Sequence, residues 1–478
     1  MTASMQRFVS IANRMPDKRQ AAERSADFRE IYGDYDPSTA AEQAARCSQC
    51  GIPYCQIHCP LQNNIPDWLM LAAQGRLEEA YELSSATNNM PEICGRICPH
   101  DRLCEGTCVI ETSGHGTVAI GAVERFITET AWTEGWVKPP TPSRELDRSV
   151  GVIGAGPAGL AAGEQLRRQG YQVHVYDRYD RIGGLLVYGI PNFKLEKEVV
   201  ERRARLLADG GIVFHNGFAV GHDASLDELR ARHDAVVIAT GVYTSRDIAV
   251  PGVGLKNVIQ ALDYLIASNR KGLGDAVPDF DSGALDAHGK DVVVVGGGDT
   301  AMDCVRTAVR QGAKSVKCLY RRNRDNMPGS LREVEHAEEE GVEFVWLAAP
   351  EAFLGDGQVN GVRAQHMRLG APDAGGRRVP EPVGDGPFTT PADMVIKALG
   401  FDAEDLPGLF GCPGLALGEK GTVEVDWETM MTNLDGVFAA GDIVRGASLV
   451  VWAILDGRNA ATHIDAYIRA AERDGKAA

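Results

Sequence analysis

Of the eleven cysteines in this 478-residue chain, eight lie between Cys47 and Cys108, and only Cys304, Cys318 and Cys412 fall elsewhere. They form two runs, Cys47-x2-Cys50-x4-Cys55-x3-Cys59-Pro60 and Cys94-x3-Cys98-Pro99-x4-Cys104-x3-Cys108. In a reducing compartment so dense a set of thiols points to metal or redox chemistry rather than to disulfides. Eight thiolates suit two four-cysteine iron–sulfur clusters. Two structural zinc sites are the rival, but zinc knuckles usually come as paired CxxC, and only one CxxC occurs here. In bacterial ferredoxins the cysteine before a proline ligates the neighbouring cluster, because a short loop wraps three corners of one cubane and then carries the chain away. Applied here, Cys47, Cys50 and Cys55 hold one cluster, Cys59 crosses to the cluster of Cys94, Cys98 and Cys104, and Cys108 returns to complete the first. His58 and His100 each stand beside a ligand cysteine and read as neighbouring or surface groups, since eight thiols already satisfy two clusters.

A second kind of chemistry is written in glycine. Ser149-Val150-Gly151-Val152-Ile153 has a strand pattern and runs into Gly154-Ala155-Gly156-Pro157-Ala158-Gly159 and then a helix. Gly154 permits the tight turn, Gly156 lets backbone approach a pyrophosphate at the helix N-terminus, and Gly159 lets the helix press on the strand. The next strand, Gln172 to Tyr176, ends at Asp177, where a carboxylate can hold a ribose 2′-hydroxyl. After it, the glycine-punctuated loop Arg181 to Pro191, with Gly184 and Leu185, offers backbone that a flavin ring would use. Ala235 to Gly241 and Met394 to Gly400 are two buried-type strands that end in turns, and the repetition suggests two related nucleotide domains.

The second domain declares itself at Asp291 to Asp303: a strand, then Gly296-Gly297-Gly298-Asp299-Thr300-Ala301 in the G-x-G-x-x-A pattern, with Ala301 as the small helix-packing residue. The strand Ser315 to Tyr320 ends at Arg321-Arg322, where an NAD site would place an acid. Two guanidinium groups there can hold a 2′-phosphate, which favours NADPH over NADH; a solvated arginine pair is the alternative. Near the C-terminus a strand ending in Ala439-Ala440-Gly441 delivers Asp442 to a helix N-terminus, a place for a polar cofactor edge. Trp452, in the following run Ala447 to Ile454, either packs in a helix core or stands beside the flavin.

These residues need scaffolding, and the composition bounds it. The length calls for two or three domains, and 44% hydrophobic with 24% charged residues belongs to a globular chain. A formal net charge of −17 argues against nucleic acid. No run of 18 apolar residues suggests a membrane span, and the first residues lack a secretion signal, so a cytoplasmic location is expected. Asp17 to Asp36 is charged and helix-compatible, with Phe28, Ile31 and Tyr32 as anchors, and reads as a docking arm or a peripheral helix. Ile65 to Ala72 and Leu77 to Tyr81 read as short amphipathic helices, and Pro139, Pro140 and Pro142 as a linker. The expected class is α/β with an α-helical N-terminal domain. Its parts are a helical cluster domain over 1–145, the flavin domain in two pieces at 146–254 and 426–478, and an NADPH domain inserted at 255–425.

The combination resembles the pyridine-nucleotide-disulfide reductase-like flavoproteins, and with the eight-cysteine domain it resembles the small (β) subunits of bacterial NADPH-dependent glutamate synthases. The likeness spans essentially the whole chain and is carried by Cys47-Ser48-Gln49-Cys50-Gly51-Ile52-Pro53-Tyr54-Cys55, Ile93-Cys94-Gly95-Arg96-Ile97-Cys98-Pro99, Gly296 to Asp303 and Ala440-Gly441-Asp442-Ile443-Val444-Arg445-Gly446. The amino-terminal part of dihydropyrimidine dehydrogenase and NADPH–ferredoxin oxidoreductase subunits share the plan. The resemblance implies that Gly154, Gly156, Gly159, Asp177, Gly184 and Asp442 hold FAD, the last through the ribityl chain. Ala155, Pro157, Leu185, Gly241, Gly441, Leu449 and Val450 stand beside them in the same motifs. Gly296, Gly298, Asp299, Thr300, Ala301, Arg321 and Arg322 are assigned to NADPH, and the eight cysteines to two interleaved [4Fe–4S] clusters. One departure is Asp177, where many FAD proteins carry the longer glutamate. NADPH gives two electrons as hydride and each cluster takes one, so a flavin must convert between them. No catalytic side chain is expected, since the protein's work is positioning. The implied partner is a large (α) subunit with FMN that makes glutamate from 2-oxoglutarate and glutamine. The alternatives are a subunit feeding electrons to ferredoxin or to a pyrimidine reductase, and a regulatory protein whose nucleotide folds do not turn over. Position 2 is Thr2, so no N-terminal cysteine nucleophile for glutamine hydrolysis is expected.

Overall fold

The computed structural model describes residues 5–373 and 376–473; Thr2 and the last residues of the segment 426–478 lie outside them. In the N-terminal unit the helices Pro37–Ala44, Ile65–Ala73, Leu77–Thr87, Pro91–Ile97 and Ile120–Thr133 surround a core of Trp68, Leu69, Val123 and Ile127. Pro37, Pro66 and Pro91 sit in the first turns of three of these helices, where no intrahelical N–H is needed. Ile65, Trp68, Leu69 and Ala72 repeat at helical spacing and are all buried. The loops between these helices carry the cysteines, and Cys55, Cys104 and Cys108 reach into the same core.

The segment Asp17 to Asp36 departs from its expected helix. Only Ala21–Arg24 is helical. The flanking chain folds back on itself, with Arg19 N–H donating to the Ile31 carbonyl and Gly33 N–H to the Asp17 carbonyl. Tertiary ion pairs made by Arg24 and Glu30 outweigh the local helix preference.

Two five-stranded parallel sheets follow. The first has the order Val437–Ala439, Ala235–Ile238, Ser149–Ile153, Gln172–Asp177, Val213–Asn216. The second has the order Val258–Gln260, Met394–Lys397, Asp291–Val295, Ser315–Tyr320, Glu343–Trp346. In each, the strand before the glycine turn is central, so the two sheets repeat one plan. A strand from near the C-terminus closes the first sheet, which makes the second an insertion into it. The helices Pro157–Gln169 and Val450–Arg473 cover one face of the first sheet.

The two crossings between these units run side by side: Thr244–Ser245 pairs antiparallel with Phe401–Asp402. Ile248, Val250 and Val253 pack with the inserted unit. Leu406, Phe410, Leu415 and Val423 pack with the first sheet. The crossings therefore lie earlier than the expected 254/255 and 425/426, because nothing in a two-residue ribbon stands out in sequence. The inserted unit also carries an antiparallel sheet of Ala348–Asp356, Gln358–Pro372 and Arg378–Pro391, which the sequence reading did not assign. Among the described residues no helix is long and apolar enough to cross a membrane.

Candidate functional site

A cavity of about 360 Å³ opens where the three units meet. The flavin-type unit contributes Gly154, Gly156, Pro157, Asp177, Gly184, Leu185, Gly241, Asp442, Leu449 and Val450 to its wall. Gly154 has φ +110° and a Cβ there would collide with the Ala239 carbonyl oxygen, so the turn accepts only glycine. A Cβ on Gly156 would meet nothing within 4 Å, so its backbone faces free space at the start of the helix Pro157–Gln169. This is a cradle for a phosphate group. Gly159 and Gly441 do not line the cavity; Gly159 lets the helix close on the Gly154 turn, and Gly441 lets its own loop close on Ala158 of that helix.

Asp177 is buried and accepts hydrogen bonds from the Ala155 N–H (2.6 Å) and the Tyr179 N–H (2.8 Å). Burial raises its carboxyl, and these two donors oppose the rise. Ala155 thus acts through its backbone, holding the acid at the end of its strand. Asp442 opens the short helix Asp442–Arg445, and burial, with Asp456 nearby, pushes it up to about 7. Thr240 lines the cavity with its buried hydroxyl oxygen lacking any protein partner, a polar group awaiting a ligand. No sequence motif singled it out. Trp452 does not face the cavity: the Arg445 guanidinium stacks on it at 4.5 Å from the ring centroid, and on Trp427 at 5.1 Å.

From the inserted unit Asp299 and Thr300 reach the wall. Gly296 is at φ +153° with Ala398 pressed against it, Gly298 opens into free space, and Ala301 is buried in the core. Asp299 also accepts the Ser330 N–H at 2.9 Å, which folds the loop over the glycine turn. Arg321 and Arg322 lie at the end of their strand, away from this cavity; Arg321 is exposed and Arg322 Nε donates to the Arg378 carbonyl. Between the two units stands Lys194, 2.9 Å from Asp303, an ion pair in the wall that the sequence reading missed. Burial pushes Asp303 up to about 6 against the pull of Lys194.

None of the eleven cysteines is in a disulfide. Burial pushes Cys47 up to about 11 and Cys55 up to about 12, and each also feels Cys50 and Cys108. Burial likewise pushes Cys59 up to about 11, with Cys94 nearby, while a hydrogen bond with Cys94 and burial raise Cys98, which also feels Cys104. Cys59, Cys94, Cys98 and Cys104 line a small cavity of their own, while Cys104 also feels Cys55 of the other run. Among the described residues no three His, Cys, Asp or Glu side chains converge on a point that would hold a single metal ion. Cys98 and His100 line both this small cavity and the large one. His58 lies at the surface, hydrogen-bonded to the Tyr54 carbonyl, whereas His100 is buried.

Comparison with known proteins agrees with this division. Residues 24–136 match the family model described as dihydropyrimidine dehydrogenase domain II, 4Fe-4S cluster, and residues 148–457 match that of pyridine nucleotide-disulphide oxidoreductase. The chain is 68% identical over 463 residues to the glutamate synthase [NADPH] small chain of Azospirillum brasilense, covering 97% of this chain and 96% of the relative. It is 44% identical to the corresponding small chain of Escherichia coli K12, covering 97% of this chain and 99% of that one. Among solved structures, Mycobacterium tuberculosis FprA in complex with NADPH superposes with a TM-score of 0.59 at 18% identity, over 69% of this chain and 86% of that one, a likeness of fold. A cluster-binding helical domain ahead of two nested nucleotide sheets, with this degree of identity along nearly the whole length, places the chain in the family of NADPH-dependent glutamate synthase small chains.

Proposed function

We propose that the chain takes hydride from NADPH onto FAD and passes the electrons through two [4Fe–4S] clusters to a large, FMN-bearing subunit that makes glutamate from 2-oxoglutarate and glutamine. The observation that carries this reading is the shared wall: Cys98 borders both the large cavity and the small four-cysteine cavity, so the two sites adjoin. Bound FAD supplies the conversion from a two-electron hydride to single electrons.

The chain's own part is positioning. Gly154, Gly156 and the helix behind Pro157 receive the pyrophosphate, Asp177 the ribose, and Asp442 with Thr240 the polar edge of the cofactor. Gly184, Leu185, Gly241, Leu449 and Val450 line the flavin's cavity, and Ala155, Gly159 and Gly441 hold the wall in shape. Gly296, Gly298, Asp299, Thr300 and Ala301 form the turn for NADPH, and Arg321 and Arg322 take its 2′-phosphate. Cys59, Cys94, Cys98 and Cys104 ligate the inner cluster, and Cys47, Cys50, Cys55 and Cys108 the outer one. Around the outer group Ile52, Tyr54, Ile57 and Val109 are exposed, an apolar surface suited to the large subunit at the point where electrons leave. A net charge of −17 leaves no call for a nucleic-acid partner, and eight clustered cysteines with no disulfide among them suit a reducing cytoplasm.

Metal analysis of anaerobically purified protein tests the reading. About eight irons and eight acid-labile sulfides per chain are expected, with FAD that bleaches on adding NADPH. Two zinc ions without sulfide, or FAD that NADPH leaves oxidised, would overturn it.

A further inference from the structure

The inserted nucleotide unit is tied to the flavin unit covalently only through the paired crossings Thr244–Ser245 and Phe401–Asp402. Direct ion pairs between the two units run from partly exposed ones, such as Arg270 with Asp180, to the buried pair of Lys194 with Asp303 in the cavity wall. The exposed pairs contribute little. A second buried tie across the gap is the segment Asp17 to Asp34 of the N-terminal domain.

One end of this segment enters the nucleotide unit. Arg24 is 1% exposed, and its Nε donates to Glu340 at 2.9 Å while its Nη2 meets Glu339. Glu340 is shared with the buried Arg306 and Arg310, and Lys18 joins Glu339 from the surface side. The other end enters the flavin unit. Glu30 and Glu196 exchange hydrogen bonds from each backbone N–H to the other's carboxylate, and Asn192 Nδ2 donates to the Phe28 carbonyl. Glu30 also pairs with Arg96 on the helix Pro91–Ile97, which carries Cys94. Between the two ends, Ile31 and Tyr32 line the central cavity, and the Tyr32 hydroxyl meets His336 Nε2 at 2.8 Å.

We infer that this segment is a clasp that sets the nucleotide unit against the flavin unit for hydride transfer, with Arg24 as its positioning residue. The inference rests on the inserted unit being the NADPH site. Arg24 touches neither the cavity nor the glycine turn, so its loss leaves nucleotide binding intact. It alters the distance and angle across which the hydride moves. A misplacement of about 1 Å can slow such a step roughly 100-fold.

The test uses the full-length, cofactor-loaded protein. Arg24→Met keeps the aliphatic stem, and Glu340 retains Arg306 and Arg310, so no carboxylate is left buried without a partner. Under anaerobic single-turnover conditions at saturating NADPH, flavin reduction by Arg24→Met should slow by roughly 10- to 100-fold. NADP+ affinity should stay within about twofold of wild type, and Arg24→Lys should recover part of the rate. The isotope effect with NADPH deuterated at the transferred position should rise, because hydride transfer becomes the limiting step. An unchanged rate, or a loss explained by weaker NADP+ binding, overturns the clasp. Should Arg24→Met fail to retain FAD, Lys18→Glu reverses the charge facing Glu339 at the exposed end; slower reduction with unchanged affinity supports the clasp, and a wild-type rate overturns it. Wild-type flavin that NADPH cannot reduce would instead overturn the underlying functional reading, so the two failures are distinguishable.

Discussion

The glycines and the acid of the flavin-type turn could be read from sequence because each residue type is forced by a local constraint. Gly154 and Gly296 need positive φ with a carbonyl pressed against them, and no other residue fits. Thr240 and Lys194 were not legible, since their significance comes from a cavity assembled by distant segments. Arg321 and Arg322 were legible by position, yet the structure separates them: Arg322 already spends its Nε on the Arg378 carbonyl, while Arg321 is exposed with no such commitment. Replacing both by alanine should raise the KM for NADPH far more than that for NADH, because only NADPH loses a phosphate partner. A charge-assisted hydrogen bond is worth about 1.5–3 kcal/mol, roughly 10- to 150-fold. Of the single variants, Arg321→Ala should account for the larger share. Steady-state kinetics with both nucleotides checks this, and equal effects on the two would refute the phosphate assignment.

At the scale of elements, strands and helices with strong apolar patterns were found where expected, whereas three features were not. The Asp17 to Asp34 segment folds by ion pairing with residues more than 300 positions away, such as Arg24 with Glu340, and a local pattern carries no trace of that. The antiparallel sheet over 348–391 and the two-residue crossings depend on pairing partners rather than on composition. The cysteine loops are the opposite case, since spacing alone suggested the crossed grouping. The variant Cys108→Ser tests that crossing. Cys108 lies 61 positions along the chain from Cys47, yet its thiolate is felt by Cys47 and Cys55. Losing it should remove the outer cluster and bring iron from about eight to about four per chain. The inner cluster's reduced-state electron paramagnetic resonance signal and NADPH bleaching of the flavin should both remain. Loss of the inner signal instead would place Cys108 with Cys98 and refute the grouping.

The whole molecule has a direction. On the proposed reading, nucleotide unit, flavin cavity, inner thiols and outer thiols follow one another, with Cys98 at the junction and exposed apolar side chains near the outer group. The helical unit carries the clustered thiols and the two parallel sheets the glycine turns, while the antiparallel sheet over 348–391 belongs to neither. An FMN-binding (β/α)₈ barrel takes about 250 residues and eight parallel strands in one closed sheet. The described residues hold no such sheet, their parallel sheets having five strands each. On the same proposed reading, electron delivery is built in, and reduction of 2-oxoglutarate and hydrolysis of glutamine fall to a second polypeptide. The purified chain should reduce an artificial dye with NADPH and form no glutamate from glutamine and 2-oxoglutarate, and adding a glutamate synthase large subunit should start synthesis. Replacing Ile52 and Ile57 by aspartate should then leave dye reduction near wild type while weakening the restored synthesis, because both side chains stand on the exit surface and neither lines the flavin cavity. Glutamate formed by the chain alone, or synthesis insensitive to those two changes, would show that electrons leave by another face.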